Sequence, residues 1–133
     1  MKTPKVQLLL TGNELMTGDI VDSNSAMIAQ QLKELGLKIS RKVTIEDDLS
    51  LLINEINQLA EQTDILIING GLGPTVDDLT AQALAKASGV ALTEHAQALA
   101  HITSWCKKRG ATLNEPNLKQ AILPQGCEII ANR

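Results

Sequence analysis

The sequence predicts an α/β fold, with a mostly parallel central sheet inside a three-layer α/β/α arrangement. Apolar runs of strand length alternate along the chain with stretches whose apolar residues recur at helical spacing. The run at 64–69 is apolar on both faces, as expected of a central parallel strand covered by helices. The 133 residues, 44% of them hydrophobic and 20% charged, suit one packed core. We therefore expect a single domain over residues 1–133, its strands joined by right-handed crossovers.

The first half of the chain predicts two strands and two helices in alternation. Residues 5–10 form a short apolar run that ends in a Thr-Gly-Asn turn, which indicates the first strand. Helical spacing over 23–35 predicts a helix, and alternation over 37–45 predicts the second strand. Asp47 and Asp48 then offer N-cap oxygens to a helix with an apolar stripe, which comprises Leu49, Leu52, Ile53, Ile56 and Leu59.

The second half begins with the third strand, at 64–69, and continues mainly as helices. A helix is expected after Asp77 and Asp78, ending at 88–89, and another from Thr93 to Gly110. Trp105 falls on the apolar stripe of that helix and is expected in the core.

The end of the chain predicts two short elements. Residues 114–123 have the pattern of a short helix closed by Pro124, and 127–130 that of a late strand.

The loop at 70–75, Gly-Gly-Leu-Gly-Pro-Thr, is the strongest candidate for ligand binding. It joins a buried strand to a helix, and such a turn leaves backbone N–H groups free to bind phosphate. The sequence has neither the Gly-Lys-Ser/Thr of a P-loop nor a Gly-x-Gly-x-x-Gly after the first strand, which disfavours ordinary NTPases and dinucleotide oxidoreductases. The alternative is a tight turn whose glycines only supply positive φ angles.

Three acidic residues follow three different predicted strands. Glu14, Asp47 and Asp78 each lie just past a carboxyl end, and these ends meet at one edge of a parallel sheet. Oxygen-rich sites of this kind suit Mg²⁺ or Mn²⁺, which bridge carboxylates to substrate phosphates. The alternative is that Asp47 and Asp78 only cap helices, and the two roles do not exclude each other.

The overall charge and hydropathy exclude several kinds of partner. A net charge of −3 gives no electrostatic footprint for nucleic acid, so we expect no nucleic-acid partner. No apolar run approaches the roughly 18 residues of a membrane span, and no signal-peptide core follows the N-terminus. We therefore expect a cytoplasmic protein without a membrane partner.

The loops that follow the predicted strands resemble those of the molybdopterin-binding fold of the MogA, MoaB and MoeA proteins, and most closely those of the N-terminal domain of the competence/damage-inducible CinA family. The resemblance rests on a segment near the N-terminus, on the glycine loop and on a late Asn-x-x-Gln-Ala motif, that is 11–24, 70–80 and 117–124. It implies an α/β fold that binds an anionic ligand, either a nucleotide or a pterin. In the CinA family this domain is associated with divalent-metal-dependent hydrolysis of the ADP-ribose pyrophosphate, and in the other relatives with pterin chemistry.

Two departures from the family pattern affect this expectation. Leu72 and Asp77 stand where the pterin-processing relatives have Thr and Arg, which weakens a pterin-specific role. The chain also stops where the family continues into more sheet, so we expect it to lack the family's C-terminal segment. Relatives form dimers or trimers, which implies a homo-oligomer.

The resulting hypothesis is a metal-dependent pyrophosphatase, with Mg²⁺, Mn²⁺ or Co²⁺ as the metal. Glu14, Asp47 and Asp78 are the candidate metal ligands, and Asp77 and Asp78 the candidate catalytic acids. The ligand and its phosphates are assigned to both loops, at Thr11, Gly12, Gly70, Gly71, Gly73 and Thr75. The alternatives are a molybdopterin-binding protein of molybdenum cofactor biosynthesis and a non-catalytic nucleotide-binding module.

Overall fold

The computed structural model describes residues 3–130. Eleven elements follow one another along this part of the chain: β1 Val6–Thr11, α1 Asn13–Thr17, α2 Asn24–Glu34, β2 Ile39–Ile45, α3 Leu49–Gln62, β3 Ile65–Asn69, α4 Thr80–Ser88, β4 Leu92–Glu94, α5 Ala96–Lys108, α6 Glu115–Lys119 and β5 Ile122–Pro124. The three predicted strands of the main sheet and the predicted helices at α2, α3 and α4 are confirmed, with ends that differ by at most three residues.

The main sheet has the order β2-β1-β3, and both pairings are parallel. Leu9 at its centre pairs with Val43 on one side and with Ile68 on the other. All six residues of β1 are buried, whereas β3 is only partly buried and its Ile65 is 42% exposed. The predicted central position of 64–69 is therefore wrong, and β1 is the central strand. An apolar run indicates that both faces of a strand are covered, but it does not indicate which strands lie beside it.

Helices cover both faces of this sheet. The chain moves from β1 to β2 in one direction across the sheet and from β2 past β1 to β3 in the other. Crossovers between parallel strands are right-handed as a rule, and with this strand order the rule places α2 and α3 on opposite faces. On the α3 face, Leu9 packs with residues of α3 and α4, namely Leu52, Ile56, Leu59 and Ala83. Leu8 and Leu10 point to the other face and are also fully buried, which confirms the three layers.

A small antiparallel ribbon of β4 and β5 lies against α4, with Thr93 opposite Leu123. The sequence assigned Thr93 to the start of a helix, but the helix begins at Ala96, and His95 caps it by accepting a hydrogen bond from the amide of Ala98 at 3.3 Å. The strand predicted at 127–130 is also wrong, because the pairing partner of β4 is 122–124.

Trp105 does not lie in the core, contrary to the prediction. Its side chain is 46% exposed, and the guanidinium carbon of Arg109 lies 4.7 Å from the ring centroid. A cation covers one face of the ring here, where the helical pattern predicted apolar packing. Within residues 3–130, no helix is both long enough and apolar enough to cross a membrane.

Candidate functional site

The carboxyl ends of β1, β2 and β3 lie side by side, since Thr11 pairs with Ile45 and Leu10 with Asn69. The loops that follow these ends carry most of the residues singled out in the sequence. Glu14 lies in α1, directly after β1, and its side chain is exposed. Asn24 at the start of α2 donates a hydrogen bond to the side chain of Asn69 at 3.2 Å, which ties the α2 end to the end of β3.

Asp47 joins the end of β2 to the end of β1. One carboxylate oxygen accepts a hydrogen bond from the Thr11 hydroxyl at 2.8 Å, and the other from the Asn13 amide at 3.2 Å. The Asp47 amide donates in return to the Asn13 side chain at 3.0 Å. Asp47 therefore does not cap α3, as one interpretation of the sequence had it. Asp48 is the cap, since its carboxylate accepts from the Leu51 amide at 2.9 Å.

The glycines at the start of the glycine loop (residues 70–75) are required by packing. Gly70 and Gly71 have φ angles of 104° and 70°, in the region that other residues rarely adopt. A Cβ on Gly70 would stand 2.3 Å from the Thr11 carbonyl oxygen, and one on Gly71 2.2 Å from the Thr80 hydroxyl. That hydroxyl donates to the Gly70 carbonyl at 2.6 Å. The tight-turn interpretation of these two glycines is thus correct, whether or not a ligand also binds here.

The Asp78 carboxylate accepts the hydrogen bonds that Thr75 donates at the other end of the glycine loop. Its carboxylate accepts hydrogen bonds from the Thr75 amide at 2.9 Å and from the Thr75 hydroxyl at 2.7 Å. A Cβ on Gly73 would lie 2.7 Å from the same carboxylate, so a side chain at this position would require the Asp78 carboxylate to shift. Helix α4 begins after Leu79 without a side-chain cap, so neither Asp77 nor Asp78 caps it. A protein carboxylate therefore fills the place at Thr75 where the sequence predicted a phosphate.

The pKa of Asp78 reflects these contacts. Burial acts to raise it, but the hydrogen bonds from Thr75 and from the Gly73 backbone, together with the positive charge of Lys119, hold the pKa below its ordinary value. The ionised carboxylate is thus the form that the folded loop favours.

Lys119 was not predicted as a site residue. It extends from α6 and donates hydrogen bonds to the carbonyl oxygens of Thr75 and Asp78, the latter at 2.8 Å. The contact spans 41 residues of sequence, which no local pattern can reveal. The only signal in the sequence was its place in the late Asn-x-x-Gln-Ala motif, 117–121.

The glycine loop separates two cavities. The β1 cleft, of about 240 Å³, is lined by Glu14, Asp22, Asn24 and Asn69 and by Gly12 and Gly70. The glycine-loop cavity, of about 320 Å³, is lined by Gly71 and Gly73, by the polar side chains of Asp78, Gln82, Lys119 and Gln120, and by the apolar Leu72, Ala81, Leu92, Ile122 and Leu123. Five of the six predicted ligand-binding residues therefore divide between the two cavities, and Thr75 lines neither of them.

Asp22 is a second carboxylate in the β1 cleft, and it too was not named as a site residue. It accepts hydrogen bonds from the hydroxyl and the amide of Ser25, the amide contact being 3.1 Å, and lies 3.8 Å from the Lys42 ammonium. The Ser25 hydroxyl in particular holds the pKa of Asp22 below its ordinary value. Asp22 is thus ionised and fixed where it meets the cleft.

The predicted metal ligands do not form one cluster. Among residues 3–130, no group of three or more His, Cys, Asp or Glu side chains is arranged to hold a metal ion. Glu14 faces the β1 cleft, Asp47 is engaged between β1 and β2, and Asp78 lines the glycine-loop cavity. Asp77 is exposed. Metal binding by these acids stays a prediction.

Comparison with known proteins agrees with this fold. The family described as "Probable molybdopterin binding domain" matches residues 7–131. A CinA-like protein of Colwellia psychrerythraea is 71% identical over 133 residues, all of this chain, and one of Shewanella woodyi is 40% identical over 128 residues, 96% of it. This chain spans 31% and 30% of the lengths of these two relatives.

Solved structures give the same result. A crystal structure of CinA from Thermoplasma acidophilum, titled as a protein with unknown function, has a TM-score of 0.86 and 34% identity, covering 96% of this chain and 75% of that one. MoaB of Thermus thermophilus, titled a molybdopterin biosynthesis enzyme, is similar in fold alone, with a TM-score of 0.61, 18% identity and coverage of 90% and 71%. The chain belongs to the molybdopterin-binding domain family, and within it to the CinA-like proteins.

The contact between Gly70 and Thr11 predicts a large effect of one added methyl group. We expect Gly70→Ala to lower the free energy of unfolding by about 3 kcal/mol or more, since a strained φ angle adds to the overlap with a backbone carbonyl. Gly89→Ala is the matched control, because Gly89 has φ +71° and no atom within 4 Å of an added Cβ. It should cost only about 1 kcal/mol, from backbone strain. Equal losses in urea unfolding of the two variants would contradict the close packing of Gly70.

The lowered pKa of Asp78 predicts a pH-dependent contribution to stability. A carboxyl group whose pKa is lower in the folded state stabilises the fold, and this stabilisation is complete at pH values above the pKa of the unfolded chain, about 3.9. The stabilisation is lost as the pH falls through the lower pKa of the folded state. We expect Asp78→Asn to be less stable than the unaltered chain by about 1.5–3 kcal/mol at neutral pH, and this gap to narrow below about pH 4. Thermal unfolding of both proteins across this pH range measures the difference in stability. Asp77→Asn, at the exposed neighbour, should show no gap, and a gap for Asp78→Asn that is constant with pH would contradict the assignment.

Proposed function

We propose that this domain binds a pyrophosphate-linked nucleotide across the glycine loop and hydrolyses the pyrophosphate of ADP-ribose with the help of a divalent cation. The observation that carries the proposal is the β1 cleft, where Glu14 and Asp22 face a cavity at the carboxyl edge of a parallel sheet. Ligands of open α/β sheets bind at this edge. Membership of the CinA-like proteins agrees with a small phosphorylated ligand.

The carboxylates of the β1 cleft fit Mg²⁺ or a similar cation. Such cations keep several waters and are held in substrate complexes by one or two carboxylates together with phosphate oxygens. Glu14, whose side chain is exposed, is the candidate ligand. Both oxygens of the ionised Asp22 already accept hydrogen bonds from Ser25, so Asp22 contributes negative charge to the cleft without being a ligand. Asp47, with hydrogen bonds to both of its oxygens, positions the loop that carries Glu14. When bound, the cation would neutralise phosphate charge and lower the pKa of the attacking water.

The protein's own residues hold the ligand and orient the reaction. Gly12 and Gly70 bring backbone without side chains to the cleft, and Asn24 and Asn69 present amide groups. Water adds to one phosphorus of ADP-ribose as the bridging oxygen leaves, which yields AMP and ribose 5-phosphate. Asp77, exposed beside the glycine loop, is the candidate to orient that water, and Asp78 holds the loop next to it.

The test is release of AMP and ribose 5-phosphate from ADP-ribose by the purified chain with Mg²⁺, Mn²⁺ or Co²⁺. We expect turnover that requires a cation, and a loss of about 100-fold or more in Glu14→Gln, as is typical when a group that stabilises the transition state is removed. Glu34→Gln is the matched control, because Glu34 is exposed at the far end of α2 from the cleft. Chromatography of the products measures both.

Two other outcomes identify the alternatives. Fold similarity to molybdopterin biosynthesis proteins favours pterin binding as the second candidate. Tight binding of molybdopterin with no turnover of ADP-ribose under any cation would favour that function. Stabilisation by ADP-ribose without products would instead favour a non-catalytic nucleotide-binding module. The expected homo-oligomer and the cytoplasmic location stay predictions.

A further inference from the structure

His95 joins three separate segments at the start of α5. Its backbone amide donates to the Ala121 carbonyl at 2.8 Å, just before β5. The ring nitrogen Nδ1 accepts a hydrogen bond from the Ala98 amide and so caps the helix. The other ring nitrogen, Nε2, lies 3.2 Å from the carbonyl oxygen of Cys127. The ring therefore links α5 to residues 125–130, the segment after β5, which we call the tail.

The two ring contacts of His95 require one protonation state. A backbone N–H is a donor, so Nδ1 must present a lone pair to Ala98. A carbonyl oxygen is an acceptor, so Nε2 must carry the hydrogen that points to Cys127. The neutral ring with its proton on Nε2 satisfies both contacts. The imidazolium is a donor at both nitrogens and cannot cap the helix.

Histidine differs in this respect from the usual helix caps. Ser, Thr and Asn are preferred at the N-cap, and their side-chain oxygens remain acceptors at every ordinary pH. Histidine is the side chain whose charge ordinarily changes between about pH 5 and pH 8. The start of α5 therefore has a cap that acid can remove.

Helix α5 itself offers no negative charge to a protonated His95. Its first turn contains no acidic residue, and its basic residues are Lys107 and Lys108 in the last turn. The next titratable side chain along the helix is His101, which is exposed. A positive charge at the start of a helix is also opposed by the helix dipole. Protonation therefore turns a cap into a charge that the helix opposes.

The neighbouring segments bring two acidic residues close to His95 in the chain. Glu94 precedes it in β4, and Glu128 follows Cys127 in the tail, and both of these side chains are exposed. Within residues 3–130, neither forms an ion pair with the ring. Strand β5 contains no charged residue, and the Lys119 ammonium of α6 is bound at the glycine loop. The ring is thus held by its two hydrogen bonds and not by a charged partner.

The segments that His95 links are two walls of one cavity. This cavity, of about 450 Å³, is lined by Ala98 of α5, by Ile129 and Ile130 of the tail and by Leu72 of the glycine loop. In the part of the chain that the structure describes, the Nε2 contact is the one hydrogen bond that ties 127–130 to any element other than the adjacent β5. Loss of this contact would free the tail from α5 beside the glycine loop.

We propose that His95 is a pH-operated latch. In its neutral form the ring caps α5 and holds the tail, and on protonation it releases both, which opens the cavity beside Leu72. The inference is independent of the proposed function, since no step of the hydrolysis uses His95. The main sheet takes no part in the change, because all of the contacts that the latch makes lie beyond β3 in the chain.

NMR spectroscopy of the isotope-labelled chain at about pH 8 and about pH 5 tests the latch. At the higher pH we expect the His95 ring to carry its proton on Nε2. Towards the lower pH, the amide resonances of Ala98 and Cys127 should shift along the same titration curve as the ring. The hydrogen-exchange protection factor of the Ala98 amide should fall about fivefold, as expected when a helix cap is lost.

Three variants separate the latch from other effects of pH. His95→Asn and His95→Ser keep an acceptor at the cap at both pH values, so the Ala98 protection factor should not change with pH in either of them. His101→Asn is the matched control, because it removes the other of the two histidines of the chain, and it should respond to pH as the unaltered chain does.

Two results would overturn the proposal. One is an Ala98 protection factor that is the same at both pH values in the unaltered chain. The other is a pH response that persists in His95→Asn and His95→Ser, because a different group would then cause it.

Discussion

Thr75 donates both its amide and its hydroxyl hydrogen to the Asp78 carboxylate, and these bonds close the glycine loop on itself. A side chain at position 73 would require the Asp78 carboxylate to shift. Lys119 binds the outside of the same turn through two carbonyl oxygens and so joins α6 to the loop. Both cavities at the sheet edge have this loop as a wall. The shape of the glycine-loop cavity therefore depends on one ionised carboxylate.

A second carboxylate has the matching role on the other side of β1. Asp47 binds Thr11 and Asn13 and so fixes the loop that carries Glu14. The acids that the sequence grouped together thus divide into two kinds. Asp47 and Asp78 are engaged by neighbouring backbone and hydroxyl groups, whereas the Glu14 side chain is exposed. Such a division suits a site whose loops are already arranged and whose cation arrives together with the phosphates.

Local periodicity was enough to predict the three strands of the main sheet and the helices between them, because apolar spacing reports directly which faces are buried. It also located the glycine loop and the acids that follow each strand. It could not place β1 at the centre, since sheet order depends on crossovers and not on any one segment. It missed the β4–β5 ribbon and Lys119 for a related reason: Leu123 and Thr93 pair across 30 residues, and Lys119 reaches Thr75 across 44. The role of Asp47 was ambiguous, because a capping aspartate and a cross-linking one have the same sequence context.

If the proposed function is correct, the ligand binds at the carboxyl edge of the sheet, on both sides of the glycine loop. Backbone amide chemical shifts of the isotope-labelled chain, titrated with ADP-ribose and Mg²⁺, test it most directly. We expect the largest shifts at Gly12, Asn24 and Gly70 in the β1 cleft and at Gly71 and Leu72 on the other side of the loop. Shifts confined to the opposite end of the sheet, where Lys33, Gly36 and Lys38 line another cavity, would contradict it.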